Sequence, residues 1–156
     1  MAWRHRLIWR VMKTYWQVRG GRTLGVRGLV VDGAGRVALV LHTYIDSWYM
    51  PGGGVKQGEG YGEALTRELR EEIGLTDFRI ERVLGVYRNT REFKDDHVVV
   101  FVVRTTVPAP AIRAADAFEI QEARWFALDD LPTDLSPATA RRIAEYQASA
   151  TGIGEW

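Results

Sequence analysis

Apolar residues recur at Leu7, Ile8, Val11, Met12 and Tyr15, while Arg6, Arg10, Lys13 and Gln17 fall on the opposite side. That 3.6-residue period predicts an amphipathic helix from Trp3 to Val18, ended by Gly20-Gly21. Val- and Leu-rich runs from Leu24 to Asp32 and from Arg36 to Thr43 flank Asp32-Gly33-Ala34-Gly35, a turn sequence that predicts a β-hairpin. After the glycine-dense Pro51-Gly52-Gly53-Gly54, with Gly58, Gly60 and Gly62 beyond it, a helix should run to about Ile73. Gly74 should stop it as a left-handed cap, with Leu75 packing back toward Leu69. Strands are expected over Phe78 to Tyr87, His97 to Thr106 and Ala123 to Leu128, and a last helix over Pro137 to Ser149. This mixed order predicts an α/β (α+β) layered domain.

The 156 residues and 46% apolar content suit one globular domain with a substantial core. Three parts are expected: residues 1–22 as N-terminal helix and linker, 23–150 as the domain, and 151–156 as a tail. The apolar stretch near the start is broken by Arg4, Arg6, Arg10 and Lys13, so no leader or membrane span is expected and a cytoplasmic protein is. Cysteine is absent, which removes disulfides, thiolate metal sites and cysteine nucleophiles together. Net charge is +1, yet the first 31 residues hold seven basic groups and no acid. The N-terminal helix should therefore pack its apolar side on the domain or on a second subunit as a homodimer. Contact of its basic, Trp-bearing face with a membrane or nucleic acid is the competing reading.

The helix ahead of Gly74 carries the candidate chemistry. At 100° per residue, Glu71 and Glu72 flank Glu68, so the three carboxylates share a sector about 100° wide. Leu65, Leu69 and Ile73 fill the adjoining sector, which should face the core. A solvated surface helix would also explain the charge, and Glu63–Arg67 and Arg67–Glu71 are favourable one-turn pairs. Glu68 and Glu72, however, repel at the same spacing, and a divalent cation would reverse that penalty. Oxygen ligands of this kind suit magnesium or manganese.

Gly53, five residues, Glu59, seven residues, then Arg67-Glu68-Leu69-Arg70-Glu71-Glu72-Ile73-Gly74-Leu75 resembles the signature of the Nudix hydrolases at every defined position. Trp48-Tyr49-Met50-Pro51-Gly52 is similar to the usual entry to it. The resemblance implies an α/β/α sandwich with a mixed central β-sheet, and metal-dependent cleavage of a nucleoside diphosphate linked to another moiety. It implies that Glu68 acts as base or orients the attacking water, and that Glu68, Glu71 and Glu72 hold the cation with help from the Gly52 carbonyl. Arg67 would position a catalytic glutamate, and Glu59 would be a structural partner or a weak outer ligand. A catalytically inactive nucleotide-binding module on the same scaffold is the alternative, against which the intact acidic set argues.

An acid from outside the box is also expected. Glu119, in Phe118-Glu119-Ile120-Gln121-Glu122-Ala123-Arg124-Trp125-Phe126, resembles the usual donor, with Asp95, Asp96 and Glu122 competing. Arg27, opposite the Val26 and Gly28 face of its strand, is placed to grip a substrate phosphate or to pair with a buried acid. Trp48 and Tyr49 could stack on a substrate ring or pack in the core. His42 and His97 are read as structural imidazoles.

Overall fold

The computed structural model describes residues 21–91 and 95–156. The helix expected between Trp3 and Val18 lies outside them. Eight strands, β1 (Thr23–Val31), β2 (Val37–His42), β3 (Trp48–Tyr49), β4 (Gly52–Gly54), β5 (Phe78–Asn89), β6 (Asp96–Thr105), β7 (Ile120–Phe126) and β8 (Gly152–Glu155), form one mixed sheet. Helices α1 (Tyr61–Ile73) and α2 (Pro137–Gln147) cover its two faces. None of the described helices is long and apolar enough to cross a membrane.

The main path runs β3-β2-β1-β6-β5-β8, with β4 added to β1 and β7 added to β2. β1 pairs parallel with β6 along its whole length. On its other side it divides its partners: Gly25 to Arg27 pair with β4, while Val31 pairs with Val37 of β2. The sheet therefore splits beside β1, and Arg27 sits at the split. The expected hairpin turn is closed by Asp32, whose Oδ1 accepts the amides of Ala34 (3.0 Å) and Arg36 (2.9 Å).

Side-chain alternation sorts the core into two layers. Val26, Val30, Val40, Val99 and Phe101 face α1, which inserts Ala64, Leu65, Leu69 and Ile73. Gly28 lies beneath Leu65 and Leu69, where a Cβ would come within 3.2 Å of the first. Burying Leu65, Leu69 and Ile73 contributes about 1.5–3 kcal/mol each. Leu29, Val31, Leu39, Val100 and Val102 face the other way, toward Ile143 of α2. Helix α1 ends as expected: Gly74 adopts φ 67°, and the Leu75 amide returns to the Leu69 carbonyl at 3.1 Å.

Two boundaries differ from the sequence reading. Residues 151–156 are not a tail, because β8 pairs parallel with Gly85 to Arg88 of β5. Alternating glycines give that strand no side-chain pattern. Its backbone is held instead by the Trp156 amide on the Arg88 carbonyl (2.9 Å) and by Arg141 on the Trp156 carbonyl (2.7 Å). β7 begins three residues earlier than expected, at Ile120, because the ladder slips between Leu41 and His42. Leu41 faces Glu122 and His42 faces Ile120, so Gln121 is an extra residue on β7. The bulge turns Ile120, rather than Gln121, into the α1-side core.

Candidate active site

The glycine loop and the last two turns of α1 are tied together by hydrogen bonds. Glu72 is 3% exposed, and its Oε2 accepts the Gly52 amide at 2.8 Å. The Gly52 carbonyl accepts Arg27 at 2.6 Å, and the same guanidinium reaches the Met50 carbonyl at 3.2 Å. Gly52 is required here, since its φ is 142° and a Cβ would fall 2.1 Å from the Val26 carbonyl oxygen. Gly53 is constrained by space alone: a Cβ would lie 2.6 Å from Glu68 Oε1.

Arg67 organises the acidic face. It grips both oxygens of Glu59 (2.8 and 2.9 Å), reaches Glu68 at 2.6 Å and Glu71 at 3.3 Å, and donates to the Gly54 carbonyl at 2.9 Å. Such a fork is specific to arginine geometry. The Arg67 hydrogen bonds hold the Glu59 carboxyl down at about 2, and Glu59 in turn raises the guanidinium above its ordinary value. Both Glu59 oxygens are thus taken up by Arg67.

Glu119 enters through the β2–β7 ladder. The Thr43 amide donates to its carbonyl at 2.9 Å, immediately past the bulge. Ligand atoms of Glu119, Glu72 and His42 lie within 4.8 Å of one another, the grouping of this kind found among the described residues. The electrostatics record the crowding. Burial pushes the Glu72 carboxyl up to about 8, against the pull of Arg27 and the Gly52 amide, with Glu68 and Glu119 adding to the rise. Glu119 is raised as well, by partial burial and then by Glu68 and Asp116. Acids held this close at neutral pH suit a divalent cation, which would take up the charge they otherwise shed by binding protons.

Other expected residues separate. Glu71 is 49% exposed and turned to Arg67, outside the tightest group. Asp95 pairs with Arg22 and Arg88, Asp96 accepts from Thr23, and Glu122 pairs with Arg124 at 2.6 Å. Trp48 does not line the site: at 3% exposure it packs edge-on against Phe126 in the α2-side core, with ring centroids 4.9 Å apart. Its neighbour Tyr49 takes the opposite face and meets the His42 ring at 5.8 Å. His42, read from the sequence as a structural imidazole, lies in this group, and Tyr44, which the sequence reading did not single out, lies 5.2 Å from its ring. His42 is 5% exposed, and burial, then Arg27, lowers its imidazole to about 4.

A split mixed sheet between two helices, with this arginine–glutamate helix at the split, defines a hydrolase of phosphorus anhydrides. The chain belongs to the NUDIX family: the NUDIX domain matches residues 21–146. It is a Nudix pyrophosphohydrolase, similar to the protein named "Putative 8-oxo-dGTP diphosphatase" of Bacillus subtilis (strain 168), with 28% identity over 84% of each chain. It is 36% identical to an ADP-ribose pyrophosphatase of Methanocaldococcus jannaschii over 53% of this chain and 47% of that one. Among solved structures, a MutT NUDIX hydrolase from Burkholderia pseudomallei superposes with TM-score 0.64 at 27% identity, covering 80% of this chain and 97% of the other.

Proposed function

We propose that the chain hydrolyses the diphosphate linkage of a nucleoside diphosphate joined to another moiety, using Mg2+ or Mn2+ as cofactor. The carrying observation is that ligand atoms of Glu72 and Glu119 lie within 4.8 Å of each other near Arg27, with burial first and neighbouring acids second raising both carboxyls. Glu72 and Glu119 would hold the cation, with Glu68 and Glu71 from the same helix as further oxygen donors. The Gly52 carbonyl keeps a second lone pair beyond the one used by Arg27. When bound, the cation supplies neutralisation of phosphate charge and acidification of water.

Glu68 is the proton acceptor in this reading. Water attacks one phosphorus, its proton passes to the Glu68 carboxylate, and the bridging oxygen leaves with the other phosphate. Arg67, at 2.6 Å, fixes that carboxylate against the Gly53 backbone. Arg27 offers its guanidinium to phosphate oxygens, while half-buried Tyr49 and exposed Tyr44 border the cleft for the remainder of the substrate. The relatives' names point to an oxidised nucleoside triphosphate and to ADP-ribose as substrates to try, with capped or triphosphorylated RNA and nucleotide sugars beside them.

The test is a panel of these compounds with Mg2+ or Mn2+, read as released phosphate or nucleotide. Turnover of at least one, abolished by chelation, is expected. Binding of panel members with no cleavage of any would overturn the reading in favour of a non-catalytic module.

A further inference from the structure

We infer that His42 supplies a nitrogen ligand to the cation held by Glu72 and Glu119, so that the centre is a mixed imidazole and carboxylate one. This rests on the metal-dependent reading above and adds to it a donor from β2, outside the glutamate helix. Glu72 and Glu119 alone would be a pair of acids, one buried and one exposed. His42 differs in kind. It is 5% exposed, its Nδ1 is buried with no hydrogen-bond partner, and one of its two ring nitrogens lies within 4.8 Å of a ligand oxygen of each carboxylate.

A buried polar nitrogen normally finds a partner on folding, and an orphan calls for an occupant or a water. The surroundings hold the ring in place for one. Tyr44 lies 5.2 Å from it and Tyr49 5.8 Å, on two sides, and β2 ends at His42 where the bulge brings Glu119 alongside. Two carboxylates and one neutral imidazole together balance a divalent charge. Replacing one oxygen donor by imidazole moves preference away from Mg2+ toward Mn2+, Co2+ or Zn2+.

The experiment uses the full chain loaded with Mn2+ and pulsed EPR, which reads nuclei bonded to the ion. The three histidines of the chain are first left at natural abundance, then labelled uniformly with 15N. A 14N modulation that becomes 15N on labelling is expected in the wild type, lost in His42→Phe and kept in His97→Gln. Titration should show His42→Gln weakening Mn2+ by about tenfold or more while Mg2+ changes by less than about threefold. The labelled wild type carries the test even where a variant fails to fold. Bound Mn2+ with oxygen neighbours alone would overturn this inference and leave the metal-dependent reading intact, with a water as the partner of the imidazole. Failure of the wild type to bind Mn2+ at all would overturn both.

Discussion

The Gly52 amide donates to Glu72 Oε2 across 2.8 Å, so the glycine loop and the last turn of α1 share one buried carboxylate. Removing the charge there should silence the enzyme while sparing the fold. Glu72→Gln keeps an oxygen for the Gly52 amide, and Glu68→Gln keeps one for Arg67. Each should lower turnover by about a hundredfold or more. Turnover within a few-fold of wild type in a folded variant would contradict the assigned roles.

Arg67→Lys removes the two-toothed grip on Glu59 and the reach to Glu68 and the Gly54 carbonyl. Arg67 and Glu59 are both largely shielded, with side chains 14% and 16% exposed. Lysine cannot reproduce the fork, so a lower urea midpoint is expected, together with reduced turnover. Arg67→Lys that unfolds at the wild-type midpoint would show the fork to be ornamental.

Gly52→Ala and Gly53→Ala should separate stability from activity. At Gly52 the new methyl meets the fixed Val26 carbonyl in a backbone conformation alanine resists, and a loss of about 3 kcal/mol or more is expected. At Gly53 it meets the movable end of Glu68, so stability should fall by less than about 1 kcal/mol while turnover drops about tenfold or more. Thermal melts and initial rates on the same preparations check both.

The metal-free protein should lose stability as pH rises from 6.5 to 8. Glu72 titrates near 8 when folded and near the ordinary carboxylate range when unfolded, so the folded state holds the extra proton in that window. His42 acts in the opposite sense below 6.5, where the unfolded imidazole binds a proton that the folded one, at about 4, refuses. Melting temperature in chelator should therefore decline between 6.5 and 8. Glu72→Gln should flatten that decline, and Mn2+ should stabilise most at its alkaline end. A flat profile in the wild type would show the Glu72 carboxyl to be ionised throughout.

Features with a local cause were legible in the sequence. The Asp32 to Gly35 turn, the stripe of Leu65, Leu69 and Ile73, and the Gly74 cap each follow from neighbours a few residues apart. So did the three glutamates, since one helix carries them all. Features set by tertiary pairing were not. β3 and β4 are two and three residues long, and β4 is entirely glycine, so no periodicity announces them. Trp48 and Tyr49 are adjacent on a strand and must point to opposite faces, but which face carries the site is decided by the α1 and α2 layers. His42 and Glu119 are 77 positions apart and meet only because β2 and β7 pair with a slip.

That slip has a consequence for tolerance to change in chain length. The loop between β6 and β7 is pinned near its end, because it contributes Glu119 and its Ala115 amide donates to the Glu72 carbonyl at 3.0 Å, while β7 beyond it is indexed against β2. Deleting Gln121 would restore an unbroken ladder: Ile120 would still oppose His42 and face the core, in step with Glu122 outward and Ala123 inward, and only the local bend of the strand would be lost. A single supernumerary residue thus bends the chain where the glutamate enters the cleft without changing which side chains the core receives.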